Sequence, residues 1–252
     1  LLLAIAILNV TNTCLLSNAL QQLSPVCQNH RITTNVTGTV ARALRGGCLG
    51  GGFMAAVHSR AVRAARATPA LIAASNPGSS AMAAEDLGIA AVASDPAALI
   101  ASDVDVVHVC TPNSTHAAFA GSALAAGKHV ICEKPLAISV GDAEVLAATA
   151  RTSGLIAAVP FVYRYHPMVR EARARIAKGE LGALLTLDCS YLQDWLLDSG
   201  DVDWRVNPAL GGSSRAFADI GSHLCDLIEF VTGERIVRLG ARTRTVHTER
   251  AG

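Results

Sequence analysis

The stretch from Val104 to Pro135 constrains this chain most, because it reads without a break as strand, turn, helix, strand and loop. Val104, Val106, Val107 and Val109 form a β-branched apolar run that suits a parallel strand covered on both faces. Thr111-Pro112-Asn113 ends it. Asn113 or Ser114 can cap a helix running through Leu124, Gly127 stands where a left-handed C-cap is wanted, and Val130-Ile131-Cys132 is the next short strand. Glu133, Lys134 and Pro135 follow. A strand-helix-strand unit this compact calls for a right-handed crossover between parallel strands. The Thr-Pro-Asn turn and the Glu-Lys-Pro loop then lie side by side at the carboxyl edge of the sheet, where open α/β folds bind their ligands.

Upstream, Gly50-Gly51-Gly52-Phe53-Met54-Ala55 fits G-x-G-x-x-A and opens an alanine-rich helix to about Ala67. Glycines there permit a tight turn and let backbone amides approach a pyrophosphate at the positive end of the helix. Gly46 and Gly47 weaken the strand expected before it, and a glycine-rich linker is the competing reading. Leu71 to Ala74 makes a second strand, ending at Ser75-Asn76-Pro77-Gly78. An acid for the ribose hydroxyls usually stands there in an NAD site, and none does. Ser75 and Asn76 can hydrogen-bond a ribose without repelling a 2′-phosphate, so NAD and NADP both stay open. Helices are expected over Ala81–Leu87, from Asp95-Pro96 to about Ala101, and, behind a Ser139/Asp142 capping box, to near Gly154. Leu155 to Val162 reads as a further strand.

Near Pro160 the character changes. A helix carrying Arg170, Arg173 and Arg175 precedes β character from Leu184 to Leu192, then turns to Ser214, a helix ending at Gly233, and a strand from Arg235 to Val246. With about 150 residues per domain as a guide, 252 residues divide into an unassigned extension (1–42), a dinucleotide-binding unit (43–159) and a second α/β unit (160–252). The net charge of +1 gives no field for nucleic acid, so the expected ligand is small. Seven cysteines are scattered singly, which fits free thiols in a reducing compartment, the cytoplasm. Leu1 to Leu8 is apolar, but no Lys or Arg precedes Arg31 and polar residues interrupt the run well short of the roughly 20 residues a membrane span needs, so no membrane association is expected.

Taken in order, the pieces Gly50-Gly51-Gly52-Phe53-Met54, Cys110-Thr111-Pro112-Asn113 with His116, Gly127-Lys-His-Val, Glu133-Lys134-Pro135, Tyr163-Arg164, Gln193-Asp-Trp195, Trp204-Arg205, Gly211-Gly212 and Asp219-x-x-x-His223 resemble the glucose-fructose oxidoreductase and inositol dehydrogenase family, Gfo/Idh/MocA. The resemblance covers about Leu44 to Val246. It implies an α/β protein: a doubly wound Rossmann domain followed by a domain with a mostly antiparallel sheet that often mediates homo-oligomerisation. It also implies nicotinamide-dependent oxidation or reduction of sugars, inositols and related polyols. By the same resemblance Lys134 binds the reacting oxygen, and His223 with Asp219 is the acid/base pair. Glu133, Pro112 and Asn113 hold the nicotinamide ribose region, while Cys110, Thr111, His116, Trp204 and Arg205 lie on the cofactor side. Tyr163, Arg164, Gln193 and Trp195 lie toward the sugar. The chemistry is consistent: oxidising a secondary alcohol needs a base near neutral pH and a cation beside the forming oxyanion.

Each residue also has an ordinary reading. Lys134 alone is a solvated lysine at a strand end, Asp219 or Ser222 can simply cap a helix, and His223 with Asp226 can be an i, i+3 surface pair. No cluster has metal-ligand spacing, so no metal is expected. The sequence also departs from the family pattern: the acidic ribose reader is absent, Ala55 replaces the third glycine, and Val162 stands where many relatives have Asn. Relatives continue for several strands past the equivalent of Val246, which leaves a partial second sheet with an exposed edge as an expectation. Two rival readings follow, a non-catalytic cofactor-binding remnant and a relative that cleaves glycosides through transient oxidation.

Overall fold

The computed structural model describes residues 42–250, so the expectations for the apolar start of the chain, and for Cys14 and Cys27, fall outside the described residues. Strands and helices alternate through the first half. In chain order they are β1 (Arg45–Leu49), α1 (Phe53–Ala64), β2 (Thr68–Ala73), α2 (Pro77–Leu87), β3 (Ala91–Val92), α3 (Pro96–Ala101), β4 (Val106–Val109), α4 (His116–Ala125), β5 (His129–Cys132), α5 (Val140–Ser153) and β6 (Ala157–Ala158). The six strands form one sheet in the order β3-β2-β1-β4-β5-β6, every pair parallel. This is the doubly wound order whose chain reversal falls between β1 and β4, and the crevice at their carboxyl ends is the place for a ligand.

Side chains alternate across the sheet, and the two faces bury different partners. Leu49, Ala73, Val107, Val109, Val130 and Cys132 join Leu99, Ile100, Ala120, Ala123 and Leu124 in the larger core. Cys48 and Ile72 meet Ala55, Ala83, Ala84 and Ile89 in the smaller one. The helices approach closely because their contact residues are alanines. In β1 the glycines do the same work from the sheet side: a Cβ on Gly47 would lie 2.8 Å from Leu99 Cδ2. Gly46-Gly47 is therefore a paired strand rather than a linker, with its register against β2 shifting between the two.

Several boundaries differ from the sequence expectations. The helix expected from Ala81 starts at Pro77, because Asn76 caps it by accepting from Ser79 N at 2.8 Å and Pro77 supplies the first-turn φ. Half of the expected Ser139/Asp142 box is present, with Asp142 N donating to Ser139 Oγ at 3.1 Å while the Asp142 carboxylate takes the Ser139 hydroxyl at 2.7 Å. The strand expected from Leu155 to Val162 shrinks to Ala157–Ala158, beyond which Pro160 has no N–H to continue a ladder, and Val162–Tyr165 forms a 3₁₀ turn.

In the second half, α6 (Pro167–Ala177), the short α7 (Pro208–Gly211) and α8 (Ser222–Thr232) are regular. The segments read as strands, Leu184 to Leu192 and Arg235 to Val246, form no strand among the described residues, the first keeping a single β-bridge at Leu187. Propensity alone does not make a strand; a neighbour must accept its hydrogen bonds, and here the extended segments leave Leu185 81% and Val237 87% exposed. Arg173 reaches the Phe230 carbonyl and lies 4.5 Å over the Phe230 ring, which ties α6 to α8.

Candidate active site

The carboxyl ends of β1, β2, β4 and β5 open into one cavity of about 1730 Å³, whose other wall comes from residues after Pro160. At its β1 end the three consecutive glycines differ in what surrounds them. Gly50 has φ +105°, and a Cβ there would sit 2.6 Å from the Cys110 carbonyl oxygen. Gly51 packs on Ala83 and Ala74, whereas nothing lies within 4 Å of a Cβ placed on Gly52. Gly52 heads α1 with no side-chain cap and no acid in the first turn, so the amides there are open to an anionic ligand. Ala55, in the third glycine's place, is fully buried against β1 and α2. An open amide cradle of this shape fits the pyrophosphate of a dinucleotide.

Phe53, Met54 and Ser75 also line the cavity, while Asn76 does not, its side chain being engaged in capping α2. The β4 and β5 loops are bound together as their sequences predict: His116 is buried with Nδ1 2.6 Å from the Pro135 carbonyl oxygen and Nε2 2.8 Å from that of Thr111. Both ring nitrogens thus meet the protein itself, so His116 acts on the cavity wall rather than on a ligand. Asn113 does not cap α4; its amide nitrogen donates to the Gly211 carbonyl at 2.9 Å and joins the β4 loop to α7. Thr111 and Pro112 complete that wall. The Cys110 thiol, also on it, is raised well above its usual pKa by its hydrogen bond with Cys48 and by burial, so it stays protonated and is no nucleophile.

Lys134 extends from the end of β5 to the second half of the chain. Its Nζ donates to the Asp219 carbonyl at 2.8 Å and lies 3.3 Å from Asp219 Oδ1. The same carboxylate takes Arg205 Nε at 3.3 Å and has Arg215 Nη1 at 3.9 Å. Arg205 is itself fixed by Asp203 Oδ1 at 3.1 Å and stacks 4.5 Å from the Trp204 ring. Asp219 therefore orients the lysine and the arginine. Asp219 and His223, paired by the resemblance, are separated by a wider π-helical turn over Phe217–Gly221, and the carboxylate makes no hydrogen bond to the imidazole.

His223 is buried on the first turn of α8, with its Nδ1 lacking a hydrogen-bond partner among the described residues. Its ring meets Tyr163 edge-on at 5.0 Å, Phe161 at 5.8 Å and Tyr191 at 6.4 Å between centroids. Burial, and next the Lys134 ammonium, hold its pKa below the ordinary imidazole value, so a neutral ring faces the cavity at neutral pH. Tyr163 is no competing base: burial and its hydrogen bond with Tyr191 push its phenol up to about 12. A lysine ammonium and a neutral imidazole therefore line the same cavity.

Of the residues expected to face a substrate, Tyr163 and Trp195 line the cavity and Arg164 and Gln193 do not. Arg164 is paired with Asp226, the acid otherwise read as the partner of His223, and Gln193 donates to Tyr191 Oη at 3.0 Å. Tyr191 and Asp203, which the sequence reading passed over, both line it. Asp203 carried a signal, since it caps the Trp204–Val206 turn; Tyr191 carried none, because its pairing with Tyr163 at 2.6 Å joins residues far apart in sequence. No group of three or more His, Cys, Asp or Glu side chains arranged to hold a metal occurs among the described residues.

Fold and site together define a dinucleotide-binding α/β protein whose cleft is lined by a lysine, a histidine and an aspartate. The oxidoreductase family with an NAD-binding Rossmann fold, Gfo/Idh/MocA, matches residues 44–161, and the C-terminal domain of the same family matches residues 169–252. The chain belongs to this family. It is 37% identical over 199 residues to levoglucosan dehydrogenase of Pseudarthrobacter phenanthrenivorans, covering 75% of this chain and 51% of that protein. D-glucoside 3-dehydrogenase of Escherichia coli is 36% identical over 153 residues, 60% of this chain and 42% of that one. Among solved structures, levoglucosan dehydrogenase in complex with NADH and levoglucosan superposes with a TM-score of 0.70 at 35% identity, covering 77% of this chain and 55% of its own. An inositol dehydrogenase homolog complexed with NAD+ from Azotobacter vinelandii gives 0.67 at 29%, covering 77% and 54%. The chain thus spans about half the length of the relatives it matches.

Proposed function

We propose that the protein is a nicotinamide-dependent dehydrogenase that oxidises a secondary alcohol of a neutral sugar or related polyol. The observation that carries this reading is the convergence of Lys134, from the dinucleotide-binding half, with Asp219 and His223, from the other, on one cavity that the glycine turn also lines. The amides at Gly51 to Phe53 would hold the pyrophosphate, and Ser75 would lie by the adenosine ribose. Glu133, with the Thr111-Pro112 wall, would face the nicotinamide ribose. A bound nicotinamide supplies the acceptor for hydride. Lys134, held by Asp219, donates to the substrate oxygen and stabilises the negative charge that develops there. His223 takes the hydroxyl proton on its neutral imidazole. Tyr163, Tyr191 and Trp195 offer aromatic surface to the apolar face of a sugar ring.

Residues 43–159 are read as the cofactor unit and 160–252 as the substrate unit, working in the cytoplasm, where the unpaired Cys48, Cys110, Cys132, Cys189 and Cys225 would stay reduced. Among the described residues no helix is long and apolar enough to cross a membrane. The test mixes purified protein with NAD or NADP and a panel of anhydro sugars, glucosides, pentoses and inositols, and follows the absorbance of reduced nicotinamide. Turnover of at least one sugar is expected. A folded protein that binds cofactor and reduces none with any member of the panel would overturn the dehydrogenase reading.

A further inference from the structure

The face of the sheet that packs on α1 is apolar except where two strands place charged or titratable groups side by side. His108 projects onto it from β4 and Glu133 from just beyond β5, and His58 of α1 lies between them. His58 Nδ1 is 3.0 Å from His108 Nδ1, and His58 Nε2 is 3.0 Å from Glu133 Oε1, with all three side chains buried. A carboxylate only accepts, so His58 must carry its proton on Nε2, toward Glu133. The contact with His108 is satisfiable whether His58 is neutral or charged, because a neutral His108 can turn either a donor or an acceptor Nδ1 toward it. Burial and the neighbouring His58 keep His108 neutral by lowering its pKa to about 4.

The other Glu133 oxygen, Oε2, accepts the Lys134 backbone N–H at 3.2 Å. Two donors from fixed elements, one on each oxygen, determine the plane of the carboxylate, and each oxygen keeps one acceptor site free. Glu133 also lines the large cavity, between the β4 loop and Lys134. We propose that His58 is a positioning residue for the cofactor: through its Nε2–H it fixes the Glu133 carboxylate so that the free acceptor sites meet ribose hydroxyls at the nicotinamide end of the dinucleotide. This inference rests on the dinucleotide reading above. The histidine touches no ligand itself, and its effect reaches the cavity only through Glu133. Lys134 shares the arrangement, since its backbone is the second anchor of the same carboxylate.

Two substitutions separate positioning from simple packing. In His58→Gln the amide nitrogen falls near the place of Nε2 and still reaches Glu133, whereas in His58→Asn the shorter amide reaches only toward His108. Binding of NAD and NADP is measured by isothermal titration on the full chain, with melting temperatures recorded alongside. His58→Asn is expected to weaken the bound dinucleotide on the order of tenfold, the worth of one hydrogen bond to a charged group. His58→Gln should stay within about threefold of wild type, since it keeps that bond. With a turning-over substrate, the Asn change should appear in the cofactor KM and leave kcat at saturating cofactor nearly unchanged. Equal affinity in wild type, Gln and Asn proteins, with only the melting temperature lowered, would make the trio structural and overturn the inference. Should the variants not fold, imidazole nitrogen resonances of the wild type decide it: the His58 Nε2 signal should move on saturation with dinucleotide, and an unmoved signal overturns the proposal. Wild-type protein that binds neither NAD nor NADP would instead refute the dinucleotide reading, and this inference with it.

Discussion

Lys134 and His223 are the two side chains on which the proposed chemistry turns, and each makes a separable demand. Lys134→Met keeps much of the side-chain stem and removes the ammonium that holds Asp219 at 3.3 Å. Because oxyanion stabilisation acts mainly in the transition state, kcat should fall on the order of 100-fold with cofactor affinity little changed, as steady-state rates and titration would show together. A kcat equal to wild type would return Lys134 to the role of a strand-end lysine. His223 adds a sign to the pH profile. Its pKa is lowered first by burial and then by Lys134, so alcohol oxidation should hold through neutral pH and fall only as pH drops below the ordinary imidazole value. Lys134→Met removes one of those two lowering effects, and an NMR titration of the His223 ring should then find its pKa higher than in wild type, though still held down by burial. A downward or absent shift would place the lysine charge too far from the imidazole to matter.

At the scale of elements, the turn between β1 and α1 separates glycines crowded by the fold from one that the fold leaves open. Gly50→Ala sets a Cβ against the Cys110 carbonyl at 2.6 Å with φ at +105°, and both faults act on the folded protein. That variant should lose stability by about 1–3 kcal/mol or more, read by chemical denaturation. Gly52→Ala adds a methyl where nothing lies within 4 Å, at the head of a helix whose amides face the cavity. Its stability should stay within about 0.5 kcal/mol of wild type while dinucleotide binding weakens sharply. Equal loss of stability in the two variants, or undiminished binding in Gly52→Ala, would remove the pyrophosphate from this turn. Both glycines look alike in the sequence. What separates them is the neighbouring β4 loop, which crowds one and leaves the other open.

For the whole molecule, cohesion is uneven. The parallel sheet buries Leu49, Val107, Val109, Val130 and Cys132 almost completely, while Leu181, Leu185, Leu192, Val237 and Leu239 remain exposed. Hydrogen exchange should follow that division. Amides of β1, β2, β4 and β5 are expected to exchange slowest, and those of 184–192 and 237–246, which donate to no ladder, close to the unprotected rate. Mass-spectrometric exchange on the 252-residue chain reads both classes at once, and strong protection across 184–192 would mean that strand pairing forms there after all.

The order of elements was legible in the residues themselves. The Val104 to Pro135 run, the glycine turn and the capping residues Asp95 and Ser139 act within a few positions of where they stand, so local physics set the Rossmann unit and brought the Thr-Pro and Glu-Lys-Pro loops together. The resemblance carried in Lys134, Asp219 and His223 pointed to residues that line one cavity, yet their partners belong to contacts between distant segments. Lys134 meets Asp219 across 85 positions, His58 meets Glu133 across 75, and Arg164 turns to Asp226 rather than to the cavity. Expectations for Leu184 to Leu192 and Arg235 to Val246 went the other way, because strand propensity is local and a ladder is not. The sequence alone determined where the chain turns, caps and crosses over, since those choices depend on neighbours along the backbone. Which side chains face the cavity, which carboxylate each cation meets, and which imidazole is left with a free nitrogen depend on neighbours in space, and only the packed tertiary structure decided them.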